Sequence, residues 1–221
     1  MITTLYEPFR NWSETGSVYI LSDPHFADDD CKLMDSGWIT PEEQITRINA
    51  MVMKNDTFVC LGDVGSPEYV KQIKARKKIL LLGNHDKKKD YKGLFDEIYD
   101  GPLFIAEKIL LSHEPVYGLP WCLNIHGHDH SNMEAYREGC KHLNLAANVC
   151  DYTPVSLGKL IKDGILSDIQ GIHRMTIERA SEKRKQNISE EHFHCTLEDM
   201  DRAISNFKIE EVSPAVDLSD F

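Results

Sequence analysis

The chain reads as a layered α/β protein, and three observations predict it. Five short, nearly continuous apolar runs recur along the first 125 residues: Val18–Leu21, Phe58–Leu61, Ile79–Leu82, Ile109–Leu111 and Cys122–Ile125. Runs without polar alternation are those of strands buried on both faces. Helical signals separate the first three, giving a strand–helix–strand–helix–strand order. A third regularity is chemical. Asp23, Asp63, Asn84, His113 and His128 each lie within about three residues after one of the five runs. In open α/β sheets the ligand site forms beyond the carboxyl ends of the strands. Five strands are therefore expected to deliver polar groups to one edge of the sheet.

The first helix follows from Thr40-Pro41-Glu42-Glu43, with an N-cap, a proline at N1 and acids in the first turn. Ile45, Ile48 and Val52 then repeat at helical spacing. Pro67 to Lys74, after Ser66, predicts a second, shorter helix. Beyond Asp163 the pattern changes. Ile165, Ile169, Ile172 and Thr176 mark one face of a helix reaching about Lys185. Thr196-Leu197-Glu198-Asp199 resembles a capping box, followed by Met200, Ile204 and Phe207 at helical spacing. The last dozen residues have no periodicity and are expected to fray. This divides the chain into a domain over 1–163 and a helical extension over 164–221, whose apolar stripes could pack back on the domain or pair two subunits.

Composition narrows the function. With 221 residues the chain can bury a full core, and 41 % apolar and 28 % charged residues suit a globular protein. A net charge of −11 disfavours extended duplex nucleic acid, whose affinity comes from neutralising phosphates with Lys and Arg. It does not exclude a small phosphate ester held by metal ions. The first ten residues lack the apolar segment of a signal peptide, and no run approaches the roughly 18 residues of a membrane helix. Six cysteines show no C-x-x-C spacing, and Cys60 and Cys122 sit inside apolar runs as buried thiols. A reducing cytoplasm fits best.

The chemistry is concentrated in a few blocks. Ile125-His126-Gly127-His128-Asp129-His130 places two histidines at i, i+2, on the same side of an extended segment. Asp23 and His25 repeat that spacing, and Gly83-Asn84-His85-Asp86 joins an amide, an imidazole and a carboxylate in one turn. Asp23, His25, Asp63, Asn84, His113, His128 and His130 give seven candidate metal ligands. A closed zinc site takes four, so seven suit two ions sharing a bridging carboxylate. Mixed imidazole, carboxylate and amide donors favour Mn, Fe, Co or Zn over Mg or Ca. Two divalent ions, two aspartates and a bridging hydroxide leave roughly +1, which favours an anionic ester. His126 should face away from His128 and His130. Asp28-Asp29-Asp30 reads as an exposed loop and Lys87-Lys88-Lys89 as a solvated basic patch, and His192 and His194 have no evident partner.

Taken in order, Asp23-Pro24-His25, Gly62-Asp63, Gly83-Asn84-His85-Asp86, His113 and Gly127-His128-Asp129-His130 resemble the motifs of calcineurin-like metallophosphoesterases. The resemblance covers roughly residues 17 to 162, with Asn144 to Leu157 also similar to the small bacterial and phage members. It implies an αββα sandwich, two mixed β-sheets flanked by helices, with a dinuclear site at one edge. Asp23, His25, Asp63 and His130 would hold one ion. Asp63 would bridge, and Asn84, His113 and His128 would complete the other. His85 would assist the phosphoryl oxygens or the leaving group, with Asp86 orienting it. The implied reaction is hydrolysis of a phosphate ester, a small phosphodiester first, by a hydroxide bridging two divalent transition-metal ions. Mn²⁺ leads, with Fe, Zn, Co or Ni as alternatives. The other reading is a non-catalytic metal-binding or protein-interaction scaffold on the same fold. Scaffolds of that kind lose part of the ligand set, and this chain keeps all of it.

Overall fold

A computed structural model of the chain describes residues 1–131, 136–137 and 139–185. It separates into two compact units, Met1–Ile177 and Glu178–Phe221. The expected capping box at Thr196, the helix after it, the frayed end, and the pairing of subunits through those helices all lie outside the described residues.

The first unit is a sandwich of two five-stranded mixed sheets. The first sheet contains β1 (Val18–Leu21), β2 (Thr57–Cys60), β3 (Lys77–Leu81) and β4 (Glu97–Tyr99), all parallel. Its far edge is β10 (Val155–Ser156), antiparallel to β1. The second sheet has the order β5-β6-β7-β9-β8. Its strands are β5 (Leu103–Ala106), β6 (Ile109–Leu111), β7 (Leu123–His126), β8 (Tyr136–Arg137) and β9 (Cys140–Asn144). Within it β6, β7 and β9 run parallel. The five predicted strands are all present, but they belong to two sheets, three to the first and two to the second. The single edge expected from the sequence is the shared end of two sheets, where Ser22 N donates to Leu145 O at 2.8 Å.

Why the apolar runs were continuous is visible in the packing. Val18, Ile20, Val59, Ile79 and Leu81 face the sandwich interior and form one buried cluster with Ile105, Ile109, Leu111, Leu123 and Ile125. The alternate residues Leu21, Phe58, Cys60 and Leu80 pack outward with Ile45, Ile48 and Val52. Those three lie on α2 (Pro41–Met51) or at its C-cap. Each fully buried aliphatic side chain of this kind contributes about 1.5–3 kcal/mol. The predicted N-cap forms, with Thr40 Oγ1 accepting from Glu43 N. Three shorter α-helices lie in the same unit, α1 (Cys31–Met34), α3 (Lys88–Tyr91) and α4 (Leu157–Lys162).

The 113–122 loop packs on the outer face of the second sheet. Val116 N donates to Asn124 Oδ1 at 2.8 Å, and the Tyr117 ring lies 5.0 Å from that of His142. Buried Asn124, His126 and His142 line that face. Asn124 is bonded to the loop backbone and to Ser112 Oγ, and His126 Nδ1 donates to Gly127 O at 2.8 Å, while the His142 ring packs against those of Tyr117 and His126.

Two helical expectations are corrected. Pro67–Gln72 is a 3₁₀ helix, and Ser66 makes no side-chain cap to hold a longer α-helix. The helix expected from Ile165 begins only at Ile172, as α5 (Ile172–Lys185). Gly164 sits at φ +87°, and Ile169 is buried in the sandwich core with Ile165 and Leu166 packed against it. Lys108 Nζ donates to Ile169 O and Lys141 Nζ to Ile165 O. The apolar spacing at 165 and 169 thus belongs to a loop sealing the end of the sandwich.

Candidate metal centre

All seven candidate ligands lie in loops that leave the carboxyl ends of β1, β2, β3, β6 and β7. The β1 and β2 loops continue side by side: Asp23 N donates to Gly62 O, His25 N to Asp63 O and Phe26 N to Val64 O, all at 2.9–3.0 Å. Asp23, His25, Asp63 and His128 have φ values of 53°, 41°, 49° and 65°. Left-handed backbone at a non-glycine residue costs about 1–3 kcal/mol and persists only where the surroundings enforce it. Four such residues among seven ligand candidates indicate a fold that holds these loops against local preference to aim their side chains.

Ligand atoms converge in two groups, Asp23–His25–His130 and Asp63–His113–His128, each within 4.8 Å. Asp63 joins them, its Oδ2 lying 3.4 Å from His113 Nε2 and 3.7 Å from His25 Nε2. Asn84 Oδ1 completes the second group, 2.8 Å from His113 Nε2 and 3.1 Å from His128 Nδ1, which are themselves 3.1 Å apart. Three lone-pair atoms separated by about 3 Å match one face of an octahedron with metal–ligand bonds of about 2.1 Å. Protons alone cannot satisfy such a triangle. In the first group Asp23 Oδ1 and His25 Nε2 are buried and have no hydrogen-bond partner. Both are the atoms a cation would take, so the residues present fit two metal ions.

The outer nitrogen of three histidines is pinned, which fixes the inner one as a lone pair. His113 Nδ1 donates to Leu61 O at 2.9 Å. His25 Nδ1 donates to Asp28 Oδ2 at 3.1 Å. His130 Nδ1 donates to Asn148 Oδ1 at 3.1 Å, while Asn148 Nδ2 returns a bond to His130 O at 2.7 Å. Asp28 and Asn148 were missed by the sequence reading. Asp28 lay in an apparent acidic loop, and only its i+3 offset from His25 signalled it. Asn148 lay inside the Asn144–Leu157 block but had no spacing of its own. Replacing Asn148 or Asp28 by Ala is expected to weaken metal binding in the first group by about 10–100-fold and to spare the second. Stepwise titration of metal-free protein followed by calorimetry checks this; equal loss at both steps would contradict the assignment.

Protonation reflects the crowding. Burial pushes the Asp23 carboxyl up, against the pull of His113 and the His128 N–H. Burial also acts upward on Asp63, but the His113 hydrogen bond and charge and the His85 N–H hold it below the usual carboxylate range. For His113 burial acts downward, yet its bond to Asp63 and the charges of Asp23 and Asp63 raise it to about 8. His126 lies outside both groups, buried with its ring 5.4 Å from His142, and burial followed by His142 pushes it down to about 4.

His85 and Asp86 part company. The His85 side chain is 68 % exposed, its Nε2 4.0 Å from Asp63 Oδ2 and its ring 5.7 Å from that of His25. It borders both groups without joining either. Asp86 does not orient that ring. Its carboxylate accepts from the backbone N–H of Gly83 (2.9 Å), Asp63 (2.8 Å) and Val64 (3.0 Å), locking the β2 and β3 loops together. Three of the roughly four lone-pair positions of that carboxylate are taken by backbone donors.

The profile of the calcineurin-like phosphoesterases matches residues 16–205, further along the chain than the motif blocks alone reach. No protein of curated function matches. Among solved structures, a protein of unknown function from Aquifex aeolicus is 29 % identical with a TM-score of 0.56, covering 66 % of this chain and 98 % of that one. Yfce, a phosphoesterase from E. coli, is 20 % identical with a TM-score of 0.40, over 58 % of this chain and 78 % of that one. A Vps29 single mutant from Entamoeba histolytica is 19 % identical with a TM-score of 0.37, over 59 % and 74 %. No described helix is long and apolar enough to cross a membrane. By a family match spanning most of its length, the chain belongs to the calcineurin-like phosphoesterases.

Proposed function

We propose that the chain is a metal-dependent phosphoesterase that hydrolyses a small phosphate ester, a phosphodiester first. The observation that carries this reading is the pair of ligand groups sharing Asp63, with an accessible imidazole beside them. Asp23, His25, Asp63 and His130 would hold one divalent ion, and Asp63, Asn84, His113 and His128 the other, Mn²⁺ being the first candidate. Bound there, the two ions would supply Lewis acidity and a lowered water pKa.

The remaining work falls to the chain. Asp63 sets the spacing of the two groups and, through Oδ1, accepts the His85 backbone N–H at 2.9 Å, fixing that turn. His85, exposed and uncommitted to either group, is placed to donate a proton to the departing oxygen. The bond from phosphorus to the leaving alcohol breaks, a new bond to the oxygen of water forms, and the alcohol leaves neutral. The strained loops and pinned histidines keep the ligand atoms in position before substrate arrives.

The test is turnover of an aryl phosphodiester and of the matched aryl monoester by metal-stripped protein, before and after Mn²⁺ is added. Activity is expected only with metal, and faster on the diester. Fully loaded protein that turns over neither ester would favour the non-catalytic scaffold, and a clear monoester preference would overturn the diester assignment.

A further inference from the structure

Beside the second ligand group the surface opens into a cleft of about 310 Å³, lined by Gly83, Asn84, Asp100, His113, Glu114 and Val116 among others. Two of these, Asn84 and His113, are also candidate ligands, so cleft and centre share a wall. The volume is at the low end for small-molecule sites, enough for a group the size of one sugar ring. Its charge is uneven. Asp100 is neutralised by Lys88, whose Nζ lies 2.7 Å from Asp100 Oδ2. Ser112 Oγ is committed to Glu114 O at 2.6 Å. Glu114 is an exposed residue of that lining, and no hydrogen bond or ion pair of its carboxylate is seen among the described residues.

We propose that this cleft receives the alcohol portion of the ester and that Glu114 selects alcohols that are uncharged or cationic and rich in hydrogen-bond donors. The inference rests on the phosphoesterase reading of the adjacent centre. A phosphoryl group held between the two ligand groups would direct one of its ester oxygens past Asn84 into the cleft. A carboxylate there accepts hydroxyl or ammonium hydrogen bonds and repels a carboxylate or a second phosphate. The positive centre and the negative cleft thus divide the substrate, the anion at the metals and the donor-bearing end at Glu114.

The experiment measures binding, not turnover, so it is separable from the catalytic proposal. Mn²⁺-loaded full-length protein is titrated by calorimetry with 2-aminoethylphosphonate and with 2-carboxyethylphosphonate, which share the phosphonate anchor and differ in the end group. The wild-type protein is expected to bind the amino compound about tenfold more tightly, the scale of a single charge contact near a surface. Glu114→Gln should bring the ratio close to one, and Glu114→Lys should invert it, with two ions per chain in every case. A ratio unchanged across the three proteins would overturn the proposal, as would failure of the loaded wild type to bind either phosphonate. Absence of ester hydrolysis alongside the expected ratios would count against the catalytic reading only.

Discussion

Asp63→Ala is expected to abolish paired metal loading and turnover together, whereas His85→Ala keeps both ions and loses turnover by about 10²–10⁴-fold, the usual worth of acid–base assistance. The contrast follows from position. Asp63 is 2 % exposed and its Oδ2 lies between the nitrogens of His25 and His113, so its removal takes a donor from both groups at once. Asp63→Asn keeps an acceptor for the His85 N–H and separates loss of charge from loss of loop geometry. Folding of Asp63→Asn with fewer than two ions bound is the expected outcome. His85 offers no lone pair to either group and is mostly exposed, so truncating it costs neither metal nor fold. Metal analysis beside steady-state kinetics decides the matter. Equal metal loss in the Asp63 and His85 variants would show that His85 is a ligand.

Gly127→Ala is the second large effect. A Cβ there would stand 2.0 Å from both Asp23 Oδ2 and Ser22 Oγ, well inside any tolerated contact. The same Asp23 oxygen accepts the His128 N–H at 2.8 Å, so the glycine lets the β7 loop lie directly on the β1 loop. One methyl group would have to push the two apart. Overpacking at an ordinary core position costs about 1–3 kcal/mol, and here the displaced atoms are ligand carboxylate. We expect a marked fall in melting temperature and loss of the first ion. Gly158→Ala, where the nearest neighbours are 4.0 Å away and the residue lies in the first turn of α4, should be neutral or slightly stabilising. Thermal melts of the two variants with metal analysis test this pair; a metal-replete, wild-type-like Gly127→Ala would mean the loops are not held as tightly as the contacts require.

What the sequence made legible was what repeats locally or recurs as a block. Val18–Leu21 and Ile79–Leu82 announced strands because both faces of the first sheet are covered, and the ligand residues announced themselves by sitting just past such runs. The split into two sheets was not readable from periodicity, since β3 and β6 have the same apolar character while belonging to different sheets. Edge elements such as β4, β8 and β10, of two or three residues, carry too few positions for a pattern. Ile165 and Ile169 imitated a helix stripe because apolar residues sealing a core can fall at spacing four by chance of loop geometry. Asp86 was misread for a different reason. Its neighbour in sequence is an imidazole, but its partners in space include three backbone amides, and backbone donors leave no trace in a sequence.

The division of the ligands between the sheets has a mechanical consequence. The first group draws Asp23 and His25 from the loop after β1 and His130 from the loop after β7, and the second draws Asp63 and Asn84 from the first sheet and His113 and His128 from the second. Each ion would therefore rivet one sheet to the other at the end of the sandwich where the loops are strained. A ligand that binds only the folded state adds to its stability in proportion to the logarithm of its free concentration. The seam between the sheets becomes a gauge of metal supply. The melting temperature is therefore expected to rise with the concentration of added Mn²⁺.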